Sequence, residues 1–136
     1  LLYKPKVVNS MKIFDVGVVL TPATGGLAPE NSGYDGDPIT PAWVTEYVSE
    51  NACDLVVGVE MWYNVRAVRS GDDIILTAKI RTVDVIEGQN YDGQQVTAEW
   101  LKGYIEGAEW YLLAPQCVKV SAVQVTPSQL PAGLVP

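Results

Sequence analysis

The stretch VEMWYNVRAVRSGDDIILTAKIR, residues 59–81, decides the fold class. Val59, Met61, Tyr63, Val65 and Ala67 alternate with Glu60, Asn64 and Arg66, and beyond Ser70-Gly71-Asp72-Asp73 the residues Ile74, Leu76, Ala78 and Ile80 alternate with Thr77, Lys79 and Arg81. A period of two on both sides of a Gly-Asp turn is the signature of an antiparallel hairpin with one covered face. On this pattern Trp62 falls opposite Met61 and Tyr63, which makes it the candidate for an exposed aromatic contact. Past Thr82 the apolar residues move to Val83 and Val85, so a bulge is expected there.

Working outward, Val7 to Leu20 reads as a strand with Phe14, Val16, Val18 and Leu20 on one face. Thr21 to Pro41 is a connection rich in Gly, Pro, Asn and Asp, longer than most loops in compact domains. Thr40-Pro41 starts a helix, with Thr as N-cap and Pro at the first helical position. In that helix the pairs Trp43, Tyr47 and Val44, Val48 fall four apart and form an apolar stripe. Val96, Trp100, Tyr104, Ala108 and Leu112 keep the same spacing, which predicts a helix over the first half of residues 96–113, while Gly103 and Gly107 weaken it. Val118, Val120 and Ala122 form a last strand. No internal repeat is apparent. The expected fold is therefore α+β, mainly β: an antiparallel sheet or sandwich with one or two short helices and extended terminal arms.

At 136 residues the chain fits a single domain, 1–136, with an arm over residues 1–8, the loop over 21–41 and a tail over 126–136. It begins with Leu1 rather than Met, which fits either processing or a portion of a longer chain. No stretch approaches the roughly 20 apolar residues of a membrane-spanning helix, and no charged-then-apolar leader opens the chain, so it reads as soluble without a membrane partner. Nine Lys and Arg against sixteen Asp and Glu, for a net charge of −7, argue against direct nucleic-acid binding. Cys53 and Cys117 are too few for a cysteine-only metal site, and leave a disulfide and two buried thiols as equal alternatives.

The chain contains no histidine. That removes Ser-His-Asp and Cys-His nucleophiles, HExxH zinc sites and histidine general bases. No phosphate-binding glycine loop is present, so no cofactor and no small-molecule substrate is evident. Asp35-Gly36-Asp37 could offer two oxygens to a hard cation, but calcium takes six to eight ligands and the remainder of such a loop is missing. Asp35 and Asp37 are thus weak metal candidates beside a turn reading. Asp72-Asp73 reads as a hairpin tip, and Glu99, Glu106 and Glu109 as a solvated helix face. Trp43 and Trp100 lie on apolar stripes and are assigned to the core. Four Trp and seven Tyr favour a subunit contact over a sugar platform.

Val68-Arg69-Ser70-Gly71-Asp72-Asp73 between two strands, after a strand, loop and helix, resembles part of the hotdog fold of thioesterases and hydratases. The resemblance implies an acyl thioesterase with a carboxylate, for which Glu46 is the candidate. The acidic, valine-rich β character, the long Gly/Pro loop and the extended ends are similar to tailed-phage virion proteins of the capsid-decoration or tail-tube type. That resemblance implies a non-enzymatic structural subunit, located in a virion, whose partners are copies of itself and other structural subunits. A secreted, strand-exchanging filament subunit is the extracellular alternative. The uncharged end Thr126 to Pro136 is then a docking tail, with Leu130, Pro131, Leu134 and Val135 as its interface residues.

Overall fold

The computed structural model describes residues 11–55, 59–87, 91–107 and 116–128. Their order is β1 (Met11–Pro22), a 3-10 turn (Thr24–Gly26), α1 (Pro41–Leu55), β2 (Val59–Ser70), β3 (Asp73–Val83), α2 (Ala98–Gly107) and β4 (Val118–Pro127). The strands form one antiparallel sheet in the order β2-β3-β1-β4. The fold is α+β and mainly β, as a single sheet rather than a sandwich. β1 and β2 run parallel with β3 between them, and β3 and β4 run parallel with β1 between them. Two split β-α-β units therefore interleave, which is the ferredoxin-like arrangement of strands.

The inner face of the sheet is the core. Phe14, Val16, Val18 and Leu20 of β1 meet Ile74, Leu76, Ala78 and Ile80 of β3 at directly paired positions, and all are buried. Val44 and Val48 of α1 and Leu101 and Ile105 of α2 close the layer from above, each at most 1% exposed. Burying side chains of this size stabilises the fold by about 1.5–3 kcal/mol apiece. α1 lies on β2 and β3, and α2 on β4.

The turn-and-helix segments of the two units also share a residue pattern, contrary to the expectation of no repeat. Tyr34-Asp35-Gly36, Thr40, Trp43 and Tyr47 recur in the same spacing as Tyr91-Asp92-Gly93, Thr97, Trp100 and Tyr104. Ile39, Val44 and Val48 correspond to Val96, Leu101 and Ile105, all of them buried. The local bonds repeat too. Gly36 and Gly93 have φ of 79° and 83°, a left-handed conformation that glycine adopts without steric cost. Their amides donate to the carbonyls of Ala28 and Ile86 at 2.9 and 2.7 Å. Thr40 and Thr97 cap the two helices, each accepting from the amide of the tryptophan three residues on at 3.1 Å. Exchanging the units turns β2-β3-β1-β4 into β4-β1-β3-β2, the same sheet read from its other edge. The fold thus has a pseudo-two-fold axis between β1 and β3.

Three expectations are corrected here. Trp62, assigned to an exposed face, is 6% exposed and belongs to the core. The reason is a bulge: β2 places Tyr63 against Lys79 and Arg66 against Thr77, so Asn64 and Val65 together oppose one residue, and Asn64 takes a φ of 51°. The extra residue switches the alternation, which lets Trp62, Val65 and Ala67 all face inward. The irregularity expected near Thr82 lies in the partner strand, between Val59 and Met61, while β3 pairs with β1 without interruption through Val83. Ala122 is exposed, because a shift in the β1–β4 register beside Ser121 brings Val123 and Val125 to the core instead.

Candidate interaction surface

Both helices pack on the inner face; among the described residues no helix covers the outer one. Strand registers set what that outer face displays. Val68 pairs with Ile75, Ile75 with Val19, and Val19 with Ala122, so one level of the sheet is apolar across all four strands. Val68 is 58% exposed, Ala122 is exposed, and Val19 and Ile75 are half-buried between them. On one side of this row lies Arg66, Thr77, Gly17 and Gln124. On its other side Ser70, Asp73 and Thr21 form a polar level with Lys119 of β4. There the Thr21 hydroxyl donates to Asp73 at 2.9 Å and lies 2.6 Å from the Ser121 hydroxyl. Lys79 and Asp15 form an ion pair of 2.5 Å one level beyond Arg66. The Asp15 carboxylate holds the Lys79 ammonium above its ordinary value, chiefly through that hydrogen bond.

Strand doublets produce the apolar row. Val18-Val19, Ala67-Val68, Ile74-Ile75 and Ala122-Val123 each send one residue inward and one outward, at matched heights on neighbouring strands. This was the signal available before the structure. It is hidden until the registers are known, because the doublets are far apart in the chain.

The opposite surface, formed by the helices and their preceding loops, has a different chemistry. In each unit a tyrosine of the loop stands edge-on against a stacked Trp-Tyr pair on the helix. Tyr34 meets Trp43 and Tyr47 at centroid distances of 5.4 and 5.6 Å, and Tyr91 meets Trp100 and Tyr104 at 5.8 and 5.5 Å. Edge-to-face and stacked rings at this spacing attract, so each tyrosine fastens its turn to the helix that follows. Trp43 and Trp100 are accordingly half-buried flank residues packed against the core. Around the first triad Asp37, Glu46 and Glu50 join the rings to enclose a small pocket of about 90 Å³. Burial raises the Tyr34 hydroxyl above its ordinary value, with the carboxylates of Glu50 and Asp37 adding to the effect.

Both oxygens of Asp35 are engaged by the loop itself, accepting from the amides of Asn31 at 2.9 Å and Ser32 at 3.2 Å. The Asn31 amide is the main cause of the lowered Asp35 value. Asp35 thus performs the turn role; Asp37 faces the aromatic pocket, and the two are not brought together with a third ligand among the described residues. Cys117 is a free, buried thiol, pushed up by burial. Glu46 lies on the exposed flank of α1. Leu130, Pro131, Leu134 and Val135 fall outside the described residues, as does the arm over residues 1–8. A groove of about 510 Å³, lined by Ile13, Phe14, Thr97, Ala98, Pro127 and Ser128 among others, opens beside the last described residue, Ser128. Comparison with family models, with curated proteins and with solved structures found no match.

Proposed function

We propose that the chain is a non-enzymatic structural subunit of a multi-copy assembly, a viral capsid or tail above all, and that copies meet through the open face of the sheet. The observation that carries this reading is the apolar row Val68, Ile75, Val19 and Ala122 across that face. A side chain such as Val68 left in water on an edge strand gains free energy when a partner covers it, at about 25 cal/mol per Å² of apolar surface removed from water. Polar levels on both sides of the row resemble the apolar centre and polar rim of protein interfaces. The absence of histidine from the sequence and the engagement of Asp35 within its own turn add support. The uncharged tail, with Leu130, Pro131, Leu134 and Val135, serves the same assembly as a further contact.

Val68→Asp tests the reading. The residue is exposed at an edge, so the domain is expected to keep its circular dichroism spectrum and melting temperature. Size-exclusion chromatography with light scattering is expected to show loss of the associated species formed by the unaltered chain. Association of Val68→Asp equal to that of the unaltered chain would overturn the assignment of this face.

A further inference from the structure

The repeat supplies an internal comparison. Both units carry the Tyr-Trp-Tyr bracket, so the bracket by itself belongs to the fold. The carboxylates around it do not repeat. Asp37, Glu46 and Glu50 of the first unit correspond to Gln94, Gly103 and Gly107 in the second. Among the described residues only the first bracket therefore combines ring faces with three acids, and these three residues line its pocket. Nothing in the packing of α1 requires them: Glu46 and Glu50 are exposed, and the equivalent helix α2 docks on the sheet with glycine in both places.

The outer sheet face carries the complementary charge. Arg66 projects there from β2, exposed, one level from the apolar row, with Lys119 also exposed on the same face. The described part of α1 displays no cation at all, and α2 only Lys102, which pairs with Glu106 at 3.1 Å. A guanidinium is the side chain best suited to an acid-rimmed aromatic pocket, since it stacks on ring faces and takes carboxylates in bidentate fashion.

We infer that Arg66 of one copy enters the pocket formed by Tyr34, Asp37, Trp43, Glu46, Tyr47 and Glu50 of a second copy, so that copies stack head-to-tail, sheet face on helix face. This rests on the structural-subunit reading and deepens it by naming the second surface. The contact joins two different patches, so it is heterologous, and it builds a ring or an open stack rather than a closed two-fold dimer. The same docking covers the row through Val68. The local charges supply direction: two acid-rimmed pockets repel each other, while the pocket attracts the face that carries Arg66.

Charge reversal provides the test. In sedimentation velocity, Arg66→Glu and, separately, the double variant Glu46→Arg/Glu50→Arg are each expected to weaken self-association by about tenfold or more, with melting temperatures unchanged. An equimolar mixture of the two is expected to recover association, because each altered face then meets its complement on the other protein. Glu99→Arg/Glu106→Arg makes the same change of charge on α2 as the double variant and is expected to leave association unaffected. If both reversals weaken association but the mixture does not recover it, the two surfaces do not meet each other and the inference falls. If Val68→Asp abolishes association while the reversals leave it intact, the inference falls and the structural-subunit reading stands. A basic peptide binding the pocket without association of the copies would overturn both.

Discussion

Asn64 shows how much one residue can redirect. Its left-handed backbone, which asparagine tolerates better than most residues, takes up the bulge that carries Trp62 and Val65 to the same side of β2. Without it one of the two would face solvent. Strict alternation read from the sequence therefore misplaced Trp62, since a bulge leaves no mark beyond an asparagine in a run of apolar residues. Asp35 was legible: Asp before Gly in a turn-rich stretch predicts a side chain bonded to local backbone, and its carboxylate holds the Asn31 and Ser32 amides. Those bonds favour the charged form, so the folded value lies below the ordinary 3.8. A lowered carboxyl value means that the stabilisation is present above 3.8 and is lost as pH falls through the folded value. An NMR titration is expected to show the Asp35 carboxyl responding below 3.8, with the Asn31 and Ser32 amides following it. A carboxyl titrating at 3.8, with those amides unmoved, would contradict the bonded turn.

At the scale of elements, the two helices are built by one recipe. A threonine caps each, valine or leucine and then isoleucine or valine four residues on enter the core, and a Trp-Tyr pair on the flank receives the tyrosine of the preceding turn. Thr40→Ala and Thr97→Ala are each expected to cost about 1 kcal/mol in denaturant unfolding, and to do so equally. A cost confined to one of them would mean that the units are not equivalent in how they start their helices. The helices and the β2–β3 hairpin were legible because their periods and caps are local. The repeat was not, because its identical residues sit at the turn and on the helix flank, while the strands keep only an apolar alternation that any strand would share. The strand order was likewise out of reach, since β1 pairs with β3 and β4 through contacts between distant segments.

At the scale of the whole molecule, the pseudo-two-fold accounts for the strand order, and the surfaces are where the two units differ. The pseudo-two-fold relates the cores of the two units closely, yet the surfaces diverge: acids gather around the bracket on α1, and an apolar row with Arg66 beside it occupies the open sheet face. Composition foretold the shortage of cations but not their placement. Once the sheet is formed, most of the described ones fall on or beside a face that no described helix covers, and the chain acquires two unlike surfaces on opposite sides of one layer of strands. Such a molecule is suited to stacking in one direction. The claim is tested most directly by sedimentation velocity of the unaltered protein over a wide range of concentrations at low and high salt. The account predicts species larger than the monomer that grow with concentration and recede as salt screens the contact. A single monomeric boundary at every concentration and at low salt would contradict it.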